Sequence, residues 1–162
     1  MAKVALSAVD DDGAERNMIL ENPDWNFEHI KINAAQKWNE ELSKIKVSSS
    51  DKNKLTVFYT AMYHCMMHPN IYNDVDGRYR GRDLQIHQTD HNYYTVFSLW
   101  DTFRTWHPLM TIIDSARTVD FIRTFLLQYE QGGLLPVWEL AANETECMIG
   151  YHAVSVIADA MM

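Results

Sequence analysis

The chain has 162 residues, 47% of them hydrophobic, with 14 Lys and Arg against 22 Asp and Glu and a net charge of −8. This length suffices for one domain with its own core. The acidic balance, with no basic run longer than Arg78-Tyr79-Arg80-Gly81-Arg82, argues against nucleic acid as a partner, and no apolar stretch of about 18 residues predicts a membrane span.

Val4-Ala5-Leu6-Ser7-Ala8-Val9 alternates as a strand does, without a visible partner strand. Asp10-Asp11-Asp12-Gly13 marks a turn, and a short helix is expected over residues 14–20. After Asn22-Pro23-Asp24, the residues Phe27, Ile30, Ala34, Trp38, Leu42 and Ile45 recur every three or four positions. That is the pattern of a long amphipathic helix with charged outer faces. Ser48-Ser49-Ser50-Asp51 is a polar break that offers an N-cap. Residues 52–67 carry Leu55, Phe58, Tyr59, Met62, Tyr63, Cys65, Met66 and Met67 with almost no polar face, which predicts an inner helix closed by Pro69. Residues 70–92, rich in Asp, Gly, Arg and Tyr, read as a long irregular segment, and such segments are usually functional.

Residues 94–108 are apolar on nearly every side and predict an interior helix that Pro108 ends. Asp101 and Arg104 lie three apart in its middle, either as an internal ion pair or with Asp101 lining a pocket for a polar ligand. Asp114-Ser115 caps a second amphipathic helix through Val119, Phe121, Ile122, Phe125, Leu126 and Tyr129, which Gly132-Gly133 ends. A special connection over residues 134–145 precedes an apolar helix over residues 147–162. The order outer, inner, loop, inner, outer, loop, inner fits a double-layered helical toroid, with a simple bundle as the competing architecture. Both ends read as interrupted elements, so the chain is expected to be part of a larger protein. Cys65 and Cys147 are compatible with free thiols or with one bridge.

Four groups of residues could carry chemistry. His64 and His68, and His87 and His91, are spaced by four as zinc ligands can be, but no acidic residue follows His64 as in a metalloprotease helix. Asp74-Val75-Asp76-Gly77 is no calcium loop, because its first position would be Tyr72; it reads as a tight turn whose aspartates pair with Arg78, Arg80 or Arg82. Trp138-Glu139 with Asn143-Glu144, and Trp100-Asp101, place carboxylates beside an aromatic platform. That combination suits a sugar ring, which has apolar faces and hydroxyl edges.

The runs His68-Pro69-Asn70, Asp74 to Gly81, Tyr94 to Arg104, Leu135 to Leu140, Asn143-Glu144-Thr145 and Cys147 to His152 together resemble glycoside hydrolase family 92, the calcium-dependent exo-acting α-mannosidases. The resemblance extends over nearly the whole chain. It implies an all-α fold class, part of an (α/α)6 toroid preceded by a short strand and linker helices from an upstream β-sandwich. Residues 1–10 would end that sandwich, residues 11–50 form the linker, and residues 51–162 begin the catalytic barrel. The implied activity is inverting removal of terminal α-linked mannose from a glycan, with calcium near the reacting sugar and a periplasmic or secreted location. The family's acid lies in a Glu-Gly-Asn-Ala-Trp-like run and its base in a Gly-Asn-Asp-Asp-like loop; neither occurs here, so both are expected downstream, with most of the calcium ligands. What carries over is the Trp100-Asp101 pair as a mannose-holding element, with Glu139, Asn143 and Glu144 lining the same cavity. Ala142 stands where the family usually has Gly, and Thr89-Asp90-His91-Asn92 is atypical. The rival reading is a non-catalytic carbohydrate-binding or helical scaffold module. In either case the missing remainder of the polypeptide is the chain's first partner, and the piece alone is expected to self-associate.

Overall fold

A computed structural model describes residues 1–162 as two compact units, one formed by Asn22–His68 and the other by Met1–Glu21 with Pro69–Met162. Helices dominate, but seven short strands make three small antiparallel sheets, so the chain is not purely α-helical.

The unit Asn22–His68 is a pair of helices, α2 (Phe27–Leu42) and α3 (Lys52–Cys65), and both begin where local chemistry dictates. The Asn26 side chain accepts from the His29 N–H at 3.2 Å, and Asp51 accepts from the N–H groups of Asn53 and Lys54. Trp38 and Tyr63 pack with ring centroids 4.6 Å apart, and the Tyr59 hydroxyl reaches the Ile45 carbonyl in the connection. The inner character expected of α3 is not met by burial within this chain: Met62 is its one buried residue.

In the other unit the opening segment forms no strand. Its role is to dock α1 (Asp11–Glu21) against the turn at Asp74. Asp74 is buried and accepts from the Ser7 hydroxyl at 2.7 Å and from Asn17 Nδ2 at 2.8 Å. Asn17 Oδ1 in turn accepts from the Val75 N–H. Arg78 pairs with Asp76 and Asp10, as the turn reading required of Asp76; Asp74 itself serves the N-terminal clasp and not an arginine. A Cβ on Gly13 would lie 2.3 Å from Asp74 Oδ2. Gly13→Ala should therefore destabilise the chain by about 1–3 kcal/mol, because overpacking outweighs the gain of roughly 1 kcal/mol in helix propensity. Urea unfolding would measure this, and a more stable variant would show that the Asp74 carboxylate moves freely.

Residues 70–92 are not irregular throughout, since three short strands lie among their turns. β1 (Asn70–Ile71) pairs with β4 (Tyr94–Thr95), and β2 (Arg78–Arg80) pairs with β3 (Ile86–Gln88). Tyr79, buried on β2, stacks on Tyr93 with centroids 3.9 Å apart. His87 and His91 each meet a neighbouring aspartate, Asp83 at 3.0 Å and Asp90 at 3.1 Å.

The expected helix over residues 94–108 is replaced by β4, β5 (Phe97–Ser98), the single turn α4 (Leu99–Thr102) and α5 (Trp106–Ile113). Val96, at φ 68°, interrupts the chain between β4 and β5. Pro108 does not end a helix but sits in the first turn of α5, where backbone N–H groups have no intrahelical partner to lose. α6 (Ser115–Gly132) has the expected caps: Asp114 accepts from the Arg117 N–H, and Gly133 closes it at φ 78°. The segment 134–145 forms the hairpin β6 (Trp138–Leu140) and β7 (Asn143–Glu144), and the last helix is shorter than expected, α7 (Ala153–Ala160). The core gathers Tyr94, Phe97, Leu99, Met110, Phe121, Phe125, Ala153 and Val156. Cys65 and Cys147 are both free thiols.

Candidate functional site

The strand that leads into the Trp100-Asp101 turn and the Trp138 hairpin meet in one sheet. β5 pairs with β6, setting Phe97 opposite Glu139 and Ser98 opposite Trp138. Successive side chains of a strand alternate faces, and paired residues share one. Phe97 and Glu139 therefore face the core, both buried, while Ser98 and Trp138 face away from it. Asp101 is exposed, not interior, and accepts a short hydrogen bond from the Ser98 hydroxyl. Trp100 beside it is 37% exposed. The Asp101–Arg104 ion pair does not form; Arg104 lays its guanidinium over the rings of Trp100 and Phe103, 5.8 and 5.3 Å from their centroids. A carboxylate and an indole thus stand at the surface of one short turn, pinned by Thr102 Oγ1 donating to the Ser98 carbonyl.

Glu139 lies behind that surface, with no exposed area. Its carboxylate accepts from the Thr95 hydroxyl at 3.0 Å, the Val96 N–H at 3.2 Å and the Ala142 N–H at 2.8 Å. No edge is left for a sugar hydroxyl, so the expectation that Glu139 lines a cavity has no exposed atom to rest on. Val96, Ala141 and Ala142 all have positive φ, at 68°, 48° and 68°. Such conformations cost about 1–3 kcal/mol each for non-glycine residues and persist only where the surroundings enforce them. Glu144 is engaged locally as well, accepting from the N–H groups of Val137 and Trp138 at 2.9 Å each. Asn143 is exposed, and its Nδ2 donates to the Ala141 carbonyl at 3.0 Å. The structure therefore sets Ser98, which holds Asp101, opposite the half-buried Trp138, with Asn143 at the exposed end of the hairpin.

Ser98, Thr95 and Val96 were not singled out by sequence reasoning. Ser98 positions Asp101, and Thr95 bridges Glu139 to the Ala141 N–H, which it accepts at 2.7 Å. Nothing in the local pattern marks them, because their partners are distant in the chain.

Two buried groups near this sheet titrate with opposite sign. Burial among Trp106, Phe121 and Phe125 keeps His107 neutral and lowers its pKa from 6.5 to about 4. The folded state then binds that proton more weakly than the unfolded chain, so stability is lost as pH falls from 6.5 toward 4. Burial raises Glu139 from 4.5 to about 7, against the pull of its hydrogen bonds. Here the folded state holds the proton more tightly, so this contribution is present at acid pH and is lost as pH rises through about 7. The two slopes oppose each other over most of their range. Glu139→Gln removes one of them and should expose an acid destabilisation on the order of 3 kcal/mol between about pH 6.5 and 4. Urea midpoints against pH would show it, and a flat profile in the variant would mean that His107 is not held neutral.

No three His, Cys, Asp or Glu side chains converge in a way that could hold a metal ion. These side chains by themselves offer no calcium site of the kind that the resemblance implies for the complete enzyme. No helix is long and apolar enough to cross a membrane.

The helix-rich unit with its small sheets carries an indole and a carboxylate on one exposed turn, and comparison with known proteins gives its class. Residues 13–162 match the glycosyl hydrolase family 92 catalytic domain. The chain belongs to that family. It is 40% identical to a family 92 α-mannosidase of Bacteroides thetaiotaomicron, with a TM-score of 0.89 over 94% of this chain and 21% of that one. A family 92 inverting mannosidase from Bacteroides thetaiotaomicron VPI-5482 is 27% identical, with a TM-score of 0.80 over 96% of this chain and 21% of that one. An uncharacterized secreted glycosidase of Arthroderma benhamiae is 28% identical over 114 residues, 66% of this chain and 14% of that protein. The chain thus spans about a fifth or less of the length of these relatives.

Proposed function

We propose that the chain is part of a glycosidase that removes terminal α-linked mannose from glycans with inversion and with calcium, and that it supplies part of the sugar-binding wall. The observation that supports this reading is the pairing of β5 with β6, which sets Ser98, the residue that donates to the exposed Asp101, opposite the half-buried Trp138. A carboxylate there accepts from sugar hydroxyls while an indole covers an apolar ring face. Asn143 adds an amide at the rim, Glu144 holds the hairpin that carries Trp138, and Glu139 supports both from behind. The acid, the base and the calcium ligands would come from residues outside this chain. In the complete protein, residues 1–10 would end a β-sandwich, 11–50 form a linker and 51–162 begin an (α/α)6 toroid. A periplasmic or secreted location is supported by the secreted description of one relative.

The complete enzyme, assayed with calcium on α-linked mannobiose, should release mannose, with the β-anomer appearing first by NMR. Binding of mannose without turnover would instead favour a non-catalytic carbohydrate-binding module. Release of the α-anomer first would refute the inverting reading.

A further inference from the structure

We propose that Glu139 is a positioning residue whose buried carboxylate ties the Val96 turn to the Ala141-Ala142 turn and so orients the Ser98–Asp101 segment against Trp138. The inference rests on the reading of that segment as a sugar-binding wall. Glu139 has no exposed area, so it acts on a ligand only through other residues. Every donor it accepts from belongs to one of two places: Thr95 and Val96 on one side, Ala142 on the other. Both places contain non-glycine residues in the left-handed region, and Val96, being β-branched, is the least suited to it.

The consequences of each turn run outward to the surface. At Val96 the chain leaves its pairing with β1 and enters its pairing with β6. Two residues later Ser98 donates to Asp101, and the Leu99 N–H donates to the Val137 carbonyl at 3.0 Å. At Ala141-Ala142 the chain reverses, which lets Glu144 accept from the Val137 and Trp138 N–H groups. Thr95 joins the two turns a second time, through the Ala141 N–H. Without the carboxylate, the Val96 and Ala142 N–H groups lose their acceptor together, and both turns are free to relax. An amide at position 139 restores one oxygen but turns an NH₂ toward N–H donors.

The test is made on the complete enzyme with Glu139→Gln, and in parallel with Thr95→Val in case the first variant folds poorly. Amide hydrogen exchange over residues 95–101 and 138–142 is read beside kcat/KM on an α-mannoside. Exchange in both segments should quicken at least tenfold while the rest of the domain keeps its protection, and kcat/KM should fall at least tenfold. Adding Ala142→Gly to Glu139→Gln should recover part of the loss, because glycine adopts the left-handed turn without being held there. Unchanged exchange in both variants would overturn the proposal, whatever the activity. Lost activity that Ala142→Gly does not recover would also overturn it, because relief of the strained turn would then not be what the activity depends on. Should even the unaltered enzyme leave α-mannosides intact, the functional reading fails, and the exchange data still decide whether Glu139 ties the two turns.

Discussion

Assayed alone with calcium on α-linked mannobiose, the 162-residue chain is expected to release no mannose. An inverting glycosidase needs two carboxyl groups about 6.5–9.5 Å apart, one to protonate the leaving oxygen and one to activate a water. The carboxylates at the candidate site do not offer that pair. Glu139 is buried with its oxygens engaged, and Glu144 is bound to the backbone of Val137 and Trp138. That leaves Asp101 as the exposed carboxylate of the group. The chain alone should also self-associate, since Ile149, Val154 and Met161 are half or more exposed around its last helix. Light scattering would register this. Turnover by the short chain, abolished by Glu144→Gln, would place the acid in this segment and overturn the assignment.

In the complete enzyme, Asp101→Asn should lower kcat/KM about ten- to a hundred-fold, because a hydrogen bond to a charged group is worth roughly 1.5–3 kcal/mol. The fold should survive. Asp101 is exposed and forms no ion pair with Arg104, and an asparagine there keeps, through its amide oxygen, an acceptor for the Ser98 hydroxyl. The loss should fall on kcat/KM and not on the unfolding midpoint, which separates a ligand contact from a packing role. Unchanged kinetics would return Asp101 to a role in holding its own turn.

The long periodic helices were legible because their causes are local. Phe27 to Leu42 repeats at helical spacing, and Asp51, Asp114 and Gly133 stop or start helices through bonds to residues within four positions. Trp100 and Asp101 stand out in the sequence as an aromatic beside a carboxylate, but their exposure does not, because the apolar run around them reads as interior. The segment 94–108 was not legible, since an apolar run without Gly reads equally as buried helix or buried strand. Its conformation depends on partners far along the chain: Thr95 and Val96 meet Glu139, 44 and 43 residues away. Residues 70–92 failed for the same reason, as two-residue strands leave no periodicity to read.

By itself, the sequence determined the helix limits set by caps and periodicity, the acidic composition and the family resemblance. Tertiary structure decided which way the hairpin residues point. Trp138 and Glu139 are neighbours in sequence with the same apparent promise, yet the register of β5 on β6 sends one outward beside Ser98 and buries the other. A strand's side chains alternate, and a shift of one residue would exchange them. That register is held by a carboxylate, a hydroxyl and two strained turns distant from one another in the chain, and no local pattern encodes it.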